Sequence, residues 1–98
     1  MEDNASPSEV QVLIVDDDDA IRDLLKHGIK HFGIDCLAVG SGQAALEILA
    51  KHPIDVVVSD INMPGMNGLE LIQRIKPKYT CDVMMMTGLV KDLTYEEI

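Results

Sequence analysis

The 98-residue sequence is poor in aromatic and basic residues, and each shortage excludes a class of protein. Phe and Tyr together contribute three residues and Trp none, so the core must be built from aliphatic side chains. Eight basic residues against 17 acidic ones give a net charge of −9, which opposes binding to nucleic acid phosphates or anionic membranes. We therefore expect no direct nucleic acid or membrane partner.

Cysteines and long apolar runs are also scarce. The two cysteines, Cys36 and Cys81, follow an acidic, polar start that does not resemble a secretory signal, so we expect reduced, buried thiols in a cytoplasmic protein. No apolar run approaches the roughly 20 residues that a transmembrane helix needs. Residues 1–9 carry Ser, Pro, Asn and acids without periodicity and predict a flexible N-terminal arm.

Short apolar runs alternate with helical stripes along the rest of the chain. The runs at residues 10–15, 34–39, 55–60 and 82–87 are typical of buried strands. Strands that alternate with helices predict right-handed crossovers and a parallel sheet. Residues 10–98 are therefore expected to form one α/β domain, a doubly wound parallel sheet with helices on both faces.

Three helices are predicted between these strands. The first is expected to be capped by Asp19 and to end at Gly33, the second to begin after Ser41 and end before Pro53, and the third to span 68–76. Their expected buried stripes are Ile21, Leu24, Leu25, Gly28, Ile29 and Phe32 in the first, Ala45, Ile48 and Leu49 in the second, and Leu69, Ile72 and Ile75 in the third.

Polar residues fall at the carboxyl ends of three predicted strands. Asp16 and Asp17 follow the first strand, Asp60 ends the third, and Thr87 ends the fourth. In open parallel sheets, ligands bind at this edge, where the strand order reverses. If the first and third strands are neighbours, three carboxylates converge and repel one another, and a hard divalent ion such as Mg²⁺ would neutralise them.

Simpler interpretations of these residues stay open. Asp18 and Asp19 are also typical of solvated helix-capping positions, and Asp60 taken alone is also a turn former. Gly65 fits a sharply bent loop at a metal site and Gly68 an entry into the next helix, while an ordinary turn is the simpler interpretation of each. The three histidines, His27, His31 and His52, lack ligand spacing, so we expect surface or packing roles and no zinc site.

The segments "VLIVDDD", "VVVSDINMPGMNGLEL" and "VMMMTG" resemble the receiver domain of two-component response regulators. The resemblance covers residues 10 to about 95 and implies a flavodoxin-like, or CheY-like, fold. It implies that Asp60 accepts a phosphoryl group from a sensor histidine kinase or phosphotransfer protein, with Mg²⁺ or Mn²⁺ as cofactor. A downstream effector protein or domain would read the modification.

The resemblance also implies roles for the residues around Asp60. Asp17 and Asp60 would be metal ligands, Asp16 would act largely through bound water, and Asn62 would offer its backbone carbonyl to the ion. Thr87 would donate a hydrogen bond to the phosphoryl group and switch with it. Met63 and Gly88 would line the phosphoryl site with their backbone. Such a domain is a switch and not an enzyme that turns over a separate substrate.

The sequence departs from the family pattern at its end. The fifth strand, its lysine and the last helix are missing, and neither Lys91 nor Tyr95 lies on a matching element. We expect an incomplete receiver with four strands of the usual five. A chain that truly stopped there would have an open strand edge and is expected to form a homodimer or exchange strands.

Three other functions are weighed against phosphotransfer. A binding or dimerisation module that keeps the fold but has lost phosphotransfer is the main alternative, because the lysine is missing. A Mg²⁺-dependent phosphohydrolase is disfavoured because the residue two positions after Asp60 is Asn62, which cannot donate a carboxyl proton. A dinucleotide site is disfavoured because no glycine-rich turn follows the first strand.

Overall fold

Four parallel strands form the centre of the structure, a computed structural model that describes residues 10–86. The strand order is β2-β1-β3-β4, so the chain reverses direction across the sheet after β2. The elements are β1 (Val12–Val15), α1 (Asp19–His31), β2 (Cys36–Val39), α2 (Gly42–Lys51), β3 (Val56–Asp60), α3 (Gly68–Ile75) and β4 (Asp82–Met86). The predicted parallel α/β architecture is confirmed, and the first three strands are one to two residues shorter than the apolar runs.

The central strands are in register from end to end. Val12 pairs with Cys36 on one side and Val56 on the other, and Asp60 lies opposite Met86 at the carboxyl end of β4. All four residues of β1 are buried. This burial explains why β1 lacks the polar alternation of a one-sided strand.

The larger core lies between the sheet and the pair of helices α2 and α3. Leu13, Val15 and Val57 project from the strands into this layer. Their partners from the helices are Ala45, Leu49, Leu71 and Ile75. Because right-handed crossovers place α1 opposite to α2 and α3, the second face of the sheet is covered by α1.

Helix ends follow their capping residues, with one correction. Asp18, not Asp19, caps α1, because its carboxylate accepts hydrogen bonds from the amides of Ala20 and Ile21 at 2.9 and 3.3 Å. Ser41 caps α2 as expected, with its hydroxyl 3.1 Å from the Ala44 amide. Gly33 follows α1 at φ 84°, a left-handed conformation that suits glycine.

The α3 helix begins with a reciprocal cap that the sequence reasoning missed. The side chain of Asn67 accepts from the amide of Glu70 at 2.9 Å, and the side chain of Glu70 accepts from the amide of Asn67 at 3.1 Å. The signal was present in the sequence as Asn followed three residues later by Glu.

The predicted helix stripes are wrong in part. Leu24 and Phe32 are 72% and 79% exposed. Of the other predicted residues, Ile21, Leu25 and Ile29 do face the sheet, where they are half-buried. In α3, Leu69 is exposed and Leu71 is fully buried in its place. Hydrophobic periodicity is compatible with neighbouring faces of each helix, so it does not decide which of them meets the sheet.

The two thiols are free, as expected, but they differ in burial. Cys81 is buried, whereas Cys36 is only half-buried. Burial raises the pKa of each thiol above its ordinary value, so both remain protonated at neutral pH. No helix within residues 10–86 is long and apolar enough to cross a membrane.

Because Leu71 is buried and Leu24 is exposed, replacing each by alanine should lower the free energy of unfolding by different amounts. Leu71→Ala removes a side chain with no exposed surface and should lower the free energy of unfolding by about 2–5 kcal/mol. Leu24→Ala, at an exposed site, should change it by less than about 0.5 kcal/mol. Urea unfolding followed by circular dichroism measures both, and equal costs would contradict the assignment of the buried face.

Candidate functional site

Three carboxylates meet at the carboxyl end of the two central strands. One oxygen each from Asp16, Asp17 and Asp60 lies within 4.8 Å of the others. Asp16 and Asp60 are only 2% exposed, whereas Asp17 is exposed. The structure therefore brings together the three acids that the strand ends singled out, and their roles as ligands remain a prediction.

The two buried acids are placed by the strands and oriented by the loops after them. Asp16 continues β1, and its amide donates to the carbonyl of Val39 at 3.1 Å. Its carboxylate accepts from the amide of Asp18 at 2.8 Å. Asp60 is the last residue of β3, and its carboxylate accepts from the amide of Asn62 at 3.2 Å. In both cases the amide two residues later points the carboxylate at the shared corner.

The charge arrangement of this corner favours a cation. Two of the three carboxylates have almost no contact with solvent, and negative charges this close repel one another. A positive ion between the oxygens would offset that repulsion. Oxygen donors alone suit hard divalent ions such as Mg²⁺.

The spacing of the oxygens also fits one ion of that kind. Mg²⁺ binds oxygen at about 2.1 Å, so two ligands on opposite sides of the ion lie about 4.2 Å apart. The three oxygens lie within 4.8 Å of one another, so one ion between them would be within reach of all three carboxylates. The donor set and its spacing are therefore compatible with a single hard dication.

The loop after Asp60 bends back to the site. Gly65 has φ 73°, which supports the expectation of a sharp bend at this glycine. The amide of Gly68 donates to the carbonyl of Ile61 at 2.8 Å, which closes the loop. Within it, Asn62 is exposed and Met63 is buried.

Gly68 permits close packing and is not required by a positive φ. A Cβ atom there would lie 2.4 Å from the carbonyl oxygen of Asp60 and 2.9 Å from Cα of Ile61. The first turn of α3 thus lies directly against the backbone that carries Asp60. Only a residue without a side chain permits this approach.

One basic residue at this corner was missed by the sequence reasoning. Arg22, on the first turn of α1, donates to the backbone carbonyl of Asp16 at 2.6 Å and pairs with the carboxylate of Asp19. The signal was its spacing of three residues from Asp19, which places both side chains on one face of α1.

Two predicted site residues, Thr87 and Gly88, lie outside the described residues. Their roles stay predictions. The three histidines are exposed, in line with surface roles, and the Nδ1 atom of His27 lies 2.8 Å from the carbonyl of Asp23.

Comparison with known proteins identifies the family. Residues 12–97 match the response regulator receiver domain. The chain belongs to this family. Among curated relatives, the response regulator protein FleR of Pseudomonas aeruginosa is 41% identical over 79 residues, which cover 80% of this chain and 17% of FleR. This receiver thus spans about a sixth of that relative's length.

Solved structures agree with the family and with the fold. The chemotaxis response regulator CheY4 of Vibrio cholerae has a TM-score of 0.77 at 28% identity, covering 90% of this chain and 76% of CheY4. The response regulator TrrA of Thermotoga maritima, in complex with Mg²⁺-BeF, has a TM-score of 0.77 at 31% identity, covering 87% and 75%. A complex of the histidine kinase ThkA with TrrA matches at 33% identity and a TM-score of 0.76, covering 80% and 68%.

The surroundings of Gly68 and Gly28 predict opposite changes in stability when each glycine is replaced by alanine. Gly68→Ala should destabilise the receiver by about 1–3 kcal/mol, because α3 must move away from the Asp60 backbone. Gly28→Ala, inside α1 with no atom within 4 Å of the new Cβ, should stabilise it by about 0.5–1 kcal/mol. Thermal or urea unfolding measures both, and a neutral Gly68→Ala would show that the contact is not tight.

Proposed function

We propose that this receiver takes a phosphoryl group onto Asp60 from a phosphohistidine of a sensor histidine kinase or phosphotransfer protein. The metal would be Mg²⁺ or Mn²⁺, held by Asp17, Asp60 and the backbone carbonyl of Asn62, with Asp16 acting largely through water. The observation that carries the proposal is the convergence of three carboxylates, two of them buried, within 4.8 Å.

The chemistry needs little more from the protein than position. An oxygen of the Asp60 carboxylate attacks phosphorus, the P–N bond to the donor imidazole breaks, and the product is an acyl phosphate. A carboxylate is a weak nucleophile, so the rate depends on alignment with the breaking bond. A dication held by these residues would neutralise part of the phosphoryl charge. Asp60 suits this role because the end of β3 and the Asn62 amide hold its carboxylate.

The output would result from the new negative charge at Asp60. Thr87 would donate its hydroxyl proton to a phosphoryl oxygen, and the backbones of Met63 and Gly88 would line the phosphoryl site. A change at the end of β4 would then alter the surface that an effector protein or domain reads. A cytoplasmic location, and homodimerisation or strand exchange, belong to the same proposal.

The relatives support this proposal over the alternative module without phosphotransfer. TrrA is seen with Mg²⁺-BeF and in complex with the kinase ThkA, and its receiver resembles this one. A module that had lost phosphotransfer would not require two buried acids beside a third, which are costly to keep. The acid triad of this chain is thus the feature that favours a working phosphoacceptor. In this proposal the domain assists its own phosphorylation and does not act on a separate substrate.

The direct test is phosphorylation of the full chain by a small donor with a P–N bond, phosphoramidate. Wild type should gain one phosphoryl group in the presence of Mg²⁺ and none in EDTA, as read by intact mass. Asp60→Asn should gain none. Asp23→Asn, which removes an exposed acid from α1, should behave as wild type.

Two results would count against the proposal. Modification of Asp60→Asn at the wild-type rate would place the acceptor elsewhere. Failure of wild type to react in Mg²⁺, with the fold intact by circular dichroism, would favour the binding module.

A further inference from the structure

We infer that Arg22 is a positioning residue that holds the peptide between Asp16 and Asp17, so that the Asp17 carboxylate faces the metal. This inference rests on the proposed function, because it assigns a role toward the same ion. It adds a residue of α1 to a site otherwise built from strand ends and the loop after β3.

The contacts of Arg22 join the helix to the acid pair. Its Nη1 atom donates to the carbonyl oxygen of Asp16 at 2.6 Å, and its Nη2 atom pairs with the carboxylate of Asp19. The Arg22 side chain is 22% exposed, whereas that of Asp19 is 87% exposed. The guanidinium is therefore directed inward at the backbone and anchored from outside by an acid on its own helix turn.

The Asp16 carbonyl matters because the next residue along the chain is Asp17. This carbonyl belongs to the planar peptide unit whose nitrogen is that of Asp17, so fixing the oxygen fixes the plane from which Asp17 departs. The amide of Asp16 is already held by Val39 at 3.1 Å. No hydrogen bond within residues 10–86 holds the exposed Asp17 carboxylate, so its direction depends on this backbone.

The space for the guanidinium is provided by Gly40, directly after β2. A Cβ atom at this position would lie 3.0 Å from Nη1 and 3.7 Å from Cζ of Arg22. Gly40 does not have positive φ, unlike Gly33 and Gly65, so alanine there brings no backbone strain. Gly40→Ala should therefore shift the guanidinium by a few tenths of an ångström while every charge of the chain is kept.

A positioning role for Arg22 and the effect of its charge alone predict opposite changes in Mg²⁺ affinity. Arg22 adds a positive charge beside a cation site, so on Coulomb's law alone its removal should strengthen Mg²⁺ binding. If Arg22 instead aims Asp17, its removal should weaken Mg²⁺ binding despite the more negative site. The sign of the change separates the two roles.

The experiment is calorimetric titration of the full chain with Mg²⁺ alone. Arg22→Met should weaken affinity by about tenfold, the lower range for loss of a group that orients a metal ligand. Gly40→Ala should weaken it by a smaller factor, and Arg22→Lys should fall between wild type and Arg22→Met, because an ammonium can still donate to the carbonyl. Lys26→Met, one turn further along α1, measures the effect of losing a charge alone and should not weaken binding.

Each outcome decides the matter. Affinity that is unchanged or tighter in both Arg22→Met and Gly40→Ala overturns the positioning role. If Arg22→Met does not fold, as judged by circular dichroism, Gly40→Ala and Arg22→Lys decide in the same way. If wild type itself binds no Mg²⁺, both the proposed metal site and the role of Arg22 are wrong. If wild type binds Mg²⁺ and the variants bind it equally well, only the role of Arg22 is wrong.

Discussion

The repulsion between carboxylates gathered at one edge of the sheet is the constraint on which the rest of the structure depends. Asp16 and Asp60 are buried at the ends of adjacent strands, and Asp17 lies beside them. Ionised groups this close and this dry lower stability unless something compensates them. The scaffold must therefore be rigid enough to hold the acids in place, and the paired, largely buried strands β1 and β3 provide that rigidity.

The connections around the strands refine the positions that the strands set. Amides of Asp18 and Asn62 orient the two buried carboxylates, and Arg22 holds the backbone between the acids of the first loop. The close contact at Gly68 sets α3 against the Asp60 backbone. These contacts come from two connections, the one that leads into α1 and the one that leads into α3, so the site is assembled only when both are in place. A metal-dependent function would in this way be coupled to the folding of the whole domain.

Much of this could be predicted from residue order, and the failures have identifiable causes. The strand pattern and the acids at strand ends were sufficient for the parallel sheet and the meeting of Asp16, Asp17 and Asp60, because carboxyl ends of parallel strands share one edge. The faces of α1 and α3 were predicted only in part, since Leu24 and Leu69 fit the helical period as well as the residues that pack toward the sheet. Arg22 was missed because its partner is a backbone carbonyl, which no side-chain pattern reveals.

The central claim is that one dication binds where the ends of β1 and β3 meet. Titration of ¹⁵N-labelled protein with Mn²⁺ tests it directly, because a paramagnetic ion broadens amide resonances in its vicinity. We predict that the amides of residues 16–18 and 60–62 broaden first, that those of α2 near Lys51 stay sharp, and that excess Mg²⁺ reverses the effect. Broadening centred elsewhere, or none at the strand ends, would contradict it.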